Sequence, residues 1–306
     1  MSRSRANPDG EQSKDTKTHE RLGAHVSTQG GVQTAPARGS DIGATAIQVF
    51  TKTPNQWRDP EVEPERATAF RRAYEESGLK GVVAHDSYLI NLASPDPALR
   101  ARSIASFTAE LTRCHLLGIP AVVSHPGNYL DEKEAGLQRN AAACTEALRA
   151  APGEVMVLLE TTAGTGTSLG SRFEELAELR ERVPDDLRHR IGFCADTCHL
   201  YSAGYDLVGD YDAVWEVWDR LIGLQHLHCF HLNDSKTPFG SRRDRHELVA
   251  EGSLGAEPFR RIMRDPRFAD RIMVLETPKG DDMVTNDRKM LRRLRAYRRG
   301  GARSVR

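Results

Sequence analysis

Six short apolar runs, 35 to 45 residues apart, each lead into a side chain of the metal-binding type. Val82-Val83-Ala84 leads to His85, and Val122-Val123-Ser124 to His125. Val157-Leu158-Leu159 leads to Glu160, and Ile191-Gly-Phe-Cys-Ala195 to Asp196. Leu227-His228-Cys229-Phe230 leads to His231, and Ile272-Met273-Val274-Leu275 to Glu276. Each interval has room for one strand, one helix and two loops, the repeat of a parallel α/β fold. The runs ending near His25 and Phe50 raise the strand count to eight. An open doubly wound sheet spreads its strand ends along a line, whereas a closed barrel gathers them at one mouth. Six strand ends with ligand-type residues therefore predict an α/β fold of the (β/α)8 TIM-barrel class. A chain of 306 residues holds one such barrel, which takes ~250.

Residues 1–20 are polar and nearly free of large apolar side chains, and we read them as a disordered extension. Residues 21–299 form the barrel domain, and 300–306 a flexible basic tail. Helical periodicity covers 61–77, 97–117, 133–150, 171–182, 211–223, 257–264 and 285–299. Gly78 and Gly118 stop the first two, and Trp215 and Trp218 face the core of the fifth. The stretch from His231 to about Gly255 reads as one long loop. Five cysteines include no CxxC pair, so buried thiols are expected rather than a disulfide framework. Cys198, between Asp196 and His199, is assigned to packing over metal contact. No apolar span or signal core is present, which predicts a soluble cytoplasmic protein without membrane association. From Arg288 to Arg306 there are nine Lys/Arg and no acid. That run suits either a phosphate-attracting surface or a solvated helix face.

Three more ligand-type residues lie off the strands: His199, and Asp244 with His246 in the long loop. The candidate set is then His85, His125, Glu160, Asp196, His199, His231, Asp244, His246 and Glu276. Imidazole with carboxylate suits zinc, manganese or iron, whereas magnesium and calcium prefer oxygen alone. Nine ligands exceed the needs of one ion and fit two or three, with a carboxylate bridging. Four crowded carboxylates without ions would repel and take up protons. Three divalent ions would reverse the balance and leave a positive pocket suited to a phosphate ester. A metal pair of this kind serves in-line displacement at phosphorus. His25, also at a strand end, reads as support for the ligands or a phosphate contact. His19, His115, His189, His226 and His228 receive no site role. The glycine-rich loop Ala163–Gly170 lacks the Gly-Lys-Ser/Thr of a phosphate-binding P-loop and is read as backbone passing close to substrate.

These segments resemble the endonuclease IV family of abasic-site endonucleases. The resemblance rests on Gly23-Ala-His-Val-Ser27, His85-Asp-Ser-Tyr-Leu-Ile-Asn-Leu92, His125-Pro-Gly127, Leu159-Glu-Thr-Thr-Ala-Gly164, Asp196-Thr-Cys-His199, Ala203-Gly-Tyr-Asp206, His231-Leu-Asn-Asp-Ser-Lys236, Gly240-Ser-Arg-Arg-Asp-Arg-His246 and Leu275-Glu-Thr277. It spans residues 22 to 278 and implies a barrel with three zinc ions, manganese or iron being alternatives at one position. His85, His125 and Glu160 would hold the first ion. Glu160 would bridge to a second, held also by Asp196, His231 and Glu276, and His199, Asp244 and His246 would hold the third. The implied substrate is double-stranded DNA with abasic or 3′-blocked sites, cut 5′ to the lesion by a monomer working at the nucleoid. Glu276, with Glu160, is the implied catalytic pair, Glu276 orienting or deprotonating water. Tyr88 and Leu89 match the loop that enters DNA, where a ring and an apolar wedge replace lost stacking. Lys236, Arg242 and Arg245 would contact phosphates. Asn55 stands where the family has an arginine in the DNA stack, Thr165 and Ser168 replace a Gln and an Asn, and Ala250 replaces a Gly.

Two rivals remain at this stage. A sugar isomerase or epimerase on a related barrel would use Glu160, Asp196, His231 and Glu276 but leaves the other five ligands idle. A non-catalytic DNA-binding barrel would account for the departures at Asn55 and Thr165.

Overall fold

The computed structural model describes residues 20–300. Eight parallel strands close into a barrel: β1 (Leu22–His25), β2 (Ala46–Phe50), β3 (Gly81–His85), β4 (Ala121–Ser124), β5 (Met156–Glu160), β6 (Ile191–Asp196), β7 (Leu227–His231) and, last in the chain, β10 (Ile272–Leu275). The seam between β10 and β1 pairs Leu22 with Met273 and Ala24 with Leu275. Residues 1–19 and 301–306, the bulk of the expected extension and tail, lie outside the described residues. Glu20, the first described residue, is tied to the barrel domain: its carboxylate pairs with Arg295 at 2.7 Å and Arg298 at 3.2 Å.

The strands are buried on both faces, which explains why they read as continuous apolar runs rather than alternating ones. One face packs on the surrounding helices α1 (Ala35–Asp41), α2 (Pro64–Ser77), α3 (Pro97–Leu117), α4 (Lys133–Ala150), α5 (Phe173–Glu181), α6 (Asp185–Arg188), α7 (Thr197–Ala203), α8 (Tyr211–Leu221), α9 (Glu257–Arg264) and α10 (Thr285–Arg298). The other face forms a separate apolar cluster that includes Val83, Val123, Leu158, Cys194, Cys229 and Val274. Gly23 of β1 has no space for a side chain, since a Cβ would fall 1.6 Å from the Ala46 carbonyl oxygen. Trp215 and Trp218 of α8 are fully buried, as their spacing required. Helix α3 starts where Asp96 accepts from the backbone N–H groups of Ala98 and Leu99, and it ends at left-handed Gly118.

Two elements depart from the expected layout. Residues 197–203, outside the stretches with helical periodicity, form α7, and Asp196 caps it by accepting from the His199 N–H at 2.9 Å. The stretch after β7 is not one plain loop. Its strands β8 (Asp234–Ser235) and β9 (His246–Glu247) pair antiparallel, Ser235 opposite His246. The basic run from Arg288 is largely α10, and much of its charge is spent internally. Lys289 and Arg293 pair with Glu251, and Arg295 and Arg298 with Glu20. Among the described residues no helix is long and apolar enough to cross a membrane.

Candidate metal centre

Side chains two apart on a strand point the same way. Val83, Val123, Leu158, Cys194, Cys229 and Val274 line one apolar cluster, and each precedes a ligand candidate by two. The parity therefore lifts His85, His125, Glu160, Asp196, His231 and Glu276 into one layer above that lining, at the carboxyl ends of the strands. The cap on α7 turns His199 toward the same space, and the β8–β9 pair folds Asp244 and His246 over it.

The nine residues fall into three groups, the first two sharing Glu160, and within each group the ligand atoms lie within 4.8 Å of one another: His85, His125 and Glu160; Glu160, Asp196, His231 and Glu276; His199, Asp244 and His246. Glu160 is fully buried and joins the first two. Its Oε2 lies 3.3 Å from His85 Nε2 and 3.1 Å from His125 Nε2. Its Oε1 lies 2.9 Å from His231 Nδ1. Asp196 links the second group to the third, its Oδ2 being 3.5 Å from His246 Nε2. Asp244 spans His199 and His246, one oxygen 3.1 Å from each Nε2.

The donor set fits divalent ions of the zinc type. A metal-binding imidazole must keep one nitrogen free while the other N–H is held by an acceptor. His85 Nδ1 donates to the Asp86 carbonyl at 3.0 Å, His199 Nδ1 to the Thr161 carbonyl at 2.8 Å, and His246 Nδ1 to the Glu276 carbonyl at 3.3 Å. The opposite nitrogens of His199 and His246 are buried and face Asp244 at 3.1 Å without a well-angled hydrogen bond. His231 is reversed: its Nε2 donates to Gln48 at 2.8 Å, which turns Nδ1 inward. Cys194 with Cys229 and His231, and Cys198 with Asp196 and His246, also bring ligand atoms within 4.8 Å of one another. Burial pushes the Cys194 thiol well above its ordinary value and Cys198 up to about 11, so each would have to give up a proton to ligate. All five cysteines are free.

With only its own side chains, the cluster settles its charges by proton sharing. Burial opposes charge on His85 and His246. Glu160 beside the first, and Asp196 with Asp244 beside the second, outweigh it and draw both up to about 9. Burial likewise opposes charge on Glu160 and Glu276, but His231 heads the neighbours that hold both carboxyls well below the usual range. The imidazoles thus retain protons that ligation would displace.

Around this layer lies a cavity of about 610 Å³ lined by His125, Asn128, Thr165, Ser168, His199, Arg243, Asp244 and Arg245 among others. Arg245 is exposed there. Arg242 is exposed too, but its backbone does the local work: its N–H donates to the Ser202 carbonyl and its own carbonyl accepts from Thr165. Lys236 is exposed beside the β8–β9 pair and does not line the cavity. Tyr88 is 69% exposed at the tip of the loop after β3, with Leu89 half-buried behind it. Asn55 is exposed on the loop after β2. His25 Nδ1 sits 3.0 Å from Gln48 Nε2 and 3.5 Å from Glu276, a supporting position rather than a member of the three groups.

Three residues were missed from sequence. Gln48, fully buried, also donates to Glu276 Oε1 at 2.6 Å. Its signal was a lone amide inside the apolar run Ala46–Phe50, and a buried polar group always needs a reason. Asn233 donates to Asp196 Oδ2 at 2.6 Å and accepts from the Glu276 N–H at 2.8 Å. It stands two residues past His231, which the strand parity pointed to. Arg243 carried no signal apart from its charge.

The described non-glycine residues with left-handed backbone are Leu130, Arg242, Ala250 and Met283. All four lie on loops that follow the carboxyl ends of strands.

Comparison with known proteins adds the following. Residues 36–297 match the family model of the xylose isomerase-like TIM barrel. A probable endonuclease 4 from Chloroflexus aurantiacus is 49% identical over 284 residues, covering 92% of this chain and 99% of the relative. The crystal structure of endonuclease IV from Thermus thermophilus superposes with a TM-score of 0.82 at 37% identity, covering 92% of this chain and 100% of that one. D-Psicose 3-epimerase from Clostridium cellulolyticum shares the fold alone, at TM-score 0.59 and 15% identity over 92% of this chain and 93% of its own.

Proposed function

This chain belongs to the endonuclease IV family, and from that membership we propose how its side chains cut DNA at an abasic site. The scissile bond is the phosphodiester 5′ to the lesion in duplex DNA. The products are a 3′-hydroxyl and a 5′-deoxyribose phosphate. Blocked 3′ ends are the second substrate, and one chain acts alone.

The observation behind this reading is the sharing of Glu160 between two ligand groups, with the third group close by through Asp196. His85, His125 and Glu160 would hold one zinc ion. Glu160, Asp196, His231 and Glu276 would hold the second, and His199, Asp244 and His246 the third. Manganese or iron could replace zinc at one of these positions. Bound there, divalent ions supply Lewis acidity that activates water, neutralises the phosphate and steadies the leaving alkoxide.

The chain's own groups do the rest. Glu276, held ionised, accepts the proton of the water that attacks phosphorus. Gln48 and the Asn233 amide fix its orientation from two sides. As the new O–P bond forms, the bond from phosphorus to the 3′ oxygen breaks on the opposite side, and that oxygen takes a proton from solvent to become the 3′-hydroxyl. Arg245 and Arg243 at the cavity, with Lys236 and Arg242 further out, meet backbone phosphates. Tyr88 and Leu89 enter the duplex where the abasic nucleotide leaves the stack. Asn55 offers no cation for that grip, so affinity rests more on Tyr88 than in relatives with arginine.

The test is a duplex with one tetrahydrofuran abasic analogue. Metal-loaded protein should nick it once, 5′ to the analogue, leaving an end that a polymerase extends. Chelator should abolish the cut and zinc restore it. An intact duplex after incubation with protein holding about three ions per chain would refute the reading. A sugar epimerase would leave the duplex intact.

A further inference from the structure

Beneath the loop that connects β2 to α2 lies a second group of buried charges, remote from the ligand layer. Residues 51–63 form no helix or strand, so no ladder of backbone hydrogen bonds fixes them. The side chains of Lys52 and Arg113 are nonetheless almost wholly buried, at 2% and 3% exposure. Lys52 spends all three ammonium protons. Its Nζ lies 2.9 Å from Asp59 Oδ1, 3.1 Å from the Gln56 carbonyl and 3.0 Å from Ser106 Oγ of α3. Arg113 of α3 reaches Asp59 at 3.1 Å, Glu110 at 2.5 Å and Thr51 Oγ1 at 2.8 Å. Thr51 in turn donates to Glu110 at 2.6 Å. Two cations meet two anions, and Thr51, Lys52 and Asp59 of the loop are tied to α3.

Burying three charges beside a half-buried fourth is expensive, and an apolar filling of that space would serve stability as well. What the charges supply is a single geometry for a stretch of chain without one. That geometry passes onward. The Pro54 carbonyl, between Lys52 and Gln56, accepts from Ser87 Oγ at 2.5 Å and from the Tyr88 N–H at 3.1 Å. The phenol ring lies edge-on to Phe50, centroids 5.4 Å apart.

We propose that Lys52, Asp59 and Arg113 are positioning residues for DNA recognition: by fixing the β2–α2 loop they fix the Pro54 carbonyl, and through it the attitude of the Tyr88 loop that grips the lesion. The inference rests on the reading of Tyr88 as a DNA contact. It requires that the network alter the grip on duplex while leaving hydrolysis of a small diester alone.

The experiment compares wild type, Lys52→Met, Asp59→Asn, Tyr88→Ala and the Lys52→Met/Tyr88→Ala double variant, all zinc-loaded. Each is assayed on the abasic duplex and on bis-p-nitrophenyl phosphate, which has no stack to enter. Lys52→Met and Asp59→Asn should raise KM for the duplex about tenfold and hold the small-diester rate within about twofold. In the Tyr88→Ala background, Lys52→Met should add little, because the two residues act along one path. Unchanged KM, a small-diester rate that falls in parallel with the duplex rate, or additive effects in the double variant would each overturn the proposal. Should Lys52→Met not fold, Asp59→Asn, whose side chain reaches solvent, is carried into the Tyr88→Ala background in its place. A Tyr88→Ala enzyme with wild-type KM would instead sink the reading of Tyr88 itself, an outcome recognisable without the network variants.

Discussion

Gln48 illustrates how much of a candidate metal centre lies behind its ligand-type side chains. Its amide donates to Glu276 and accepts from His231, so it sets the direction of two candidate ligands drawn from β7 and the end of β10. Gln48→Leu conserves bulk but strips both partners at once and leaves the His231 Nε2–H facing carbon. Losses of 10- to 100-fold in metal affinity or turnover are usual for such partners. We expect a loss in that range, read as zinc affinity against a chromophoric chelator and as kcat on the abasic duplex. An unaltered zinc affinity with unaltered kcat would contradict it. Six of the nine candidate ligands stood out in the sequence because each closes a run of apolar residues, whereas His199, Asp244 and His246 lie off those runs. Gln48 was not, because one amide inside a strand pattern is also what a solvent-edge position looks like. Arg243 and Arg242 were indistinguishable for a different reason: which arginine faces the cavity depends on a left-handed turn at Arg242, and composition does not reveal it.

Among the elements, the long helices were readable because they are long enough to show a period, and the barrel strands because each is an unbroken apolar run; α3, α4 and α9 match their expected bounds. Helix α7 and the β8–β9 pair were not, since seven residues and two-residue strands show none. Tertiary contacts make them instead. Asp196 caps α7, and buried Asp234 accepts from the backbone N–H groups of Ser235, Gly252 and Leu254 to shape the segment after His246. Ala250 lies inside that segment at φ 62°, where a Cβ is crowded and glycine is at ease. An alanine at this position is therefore strained. Ala250→Gly should raise stability by about 1 kcal/mol, seen as a higher urea midpoint at unchanged m-value. A lower midpoint would show that the loop's freedom when unfolded outweighs the relieved strain.

For the molecule as a whole, folding, protons and ions are linked. In the ion-free chain His85 and His246 titrate near 9, above the ordinary value of 6.5. A raised histidine contributes stability fully present below its unfolded value and lost as pH climbs through its folded one. The chelated protein should accordingly lose melting temperature between pH 6.5 and about 9. The zinc-loaded protein should not follow it, and loading at neutral pH should release protons. Scanning calorimetry across that range, with isothermal titration in buffers of different ionisation enthalpy, checks both statements. A pH-independent melting temperature for the chelated form would refute the linkage. The left-handed joints at Leu130, Arg242, Ala250 and Met283 have a counterpart at this scale. The barrel is a vessel with its tension gathered at the lip and its base relaxed. Warming should loosen the lip first, so the chain ought to forget how to hold its substrate before it forgets how to be a barrel.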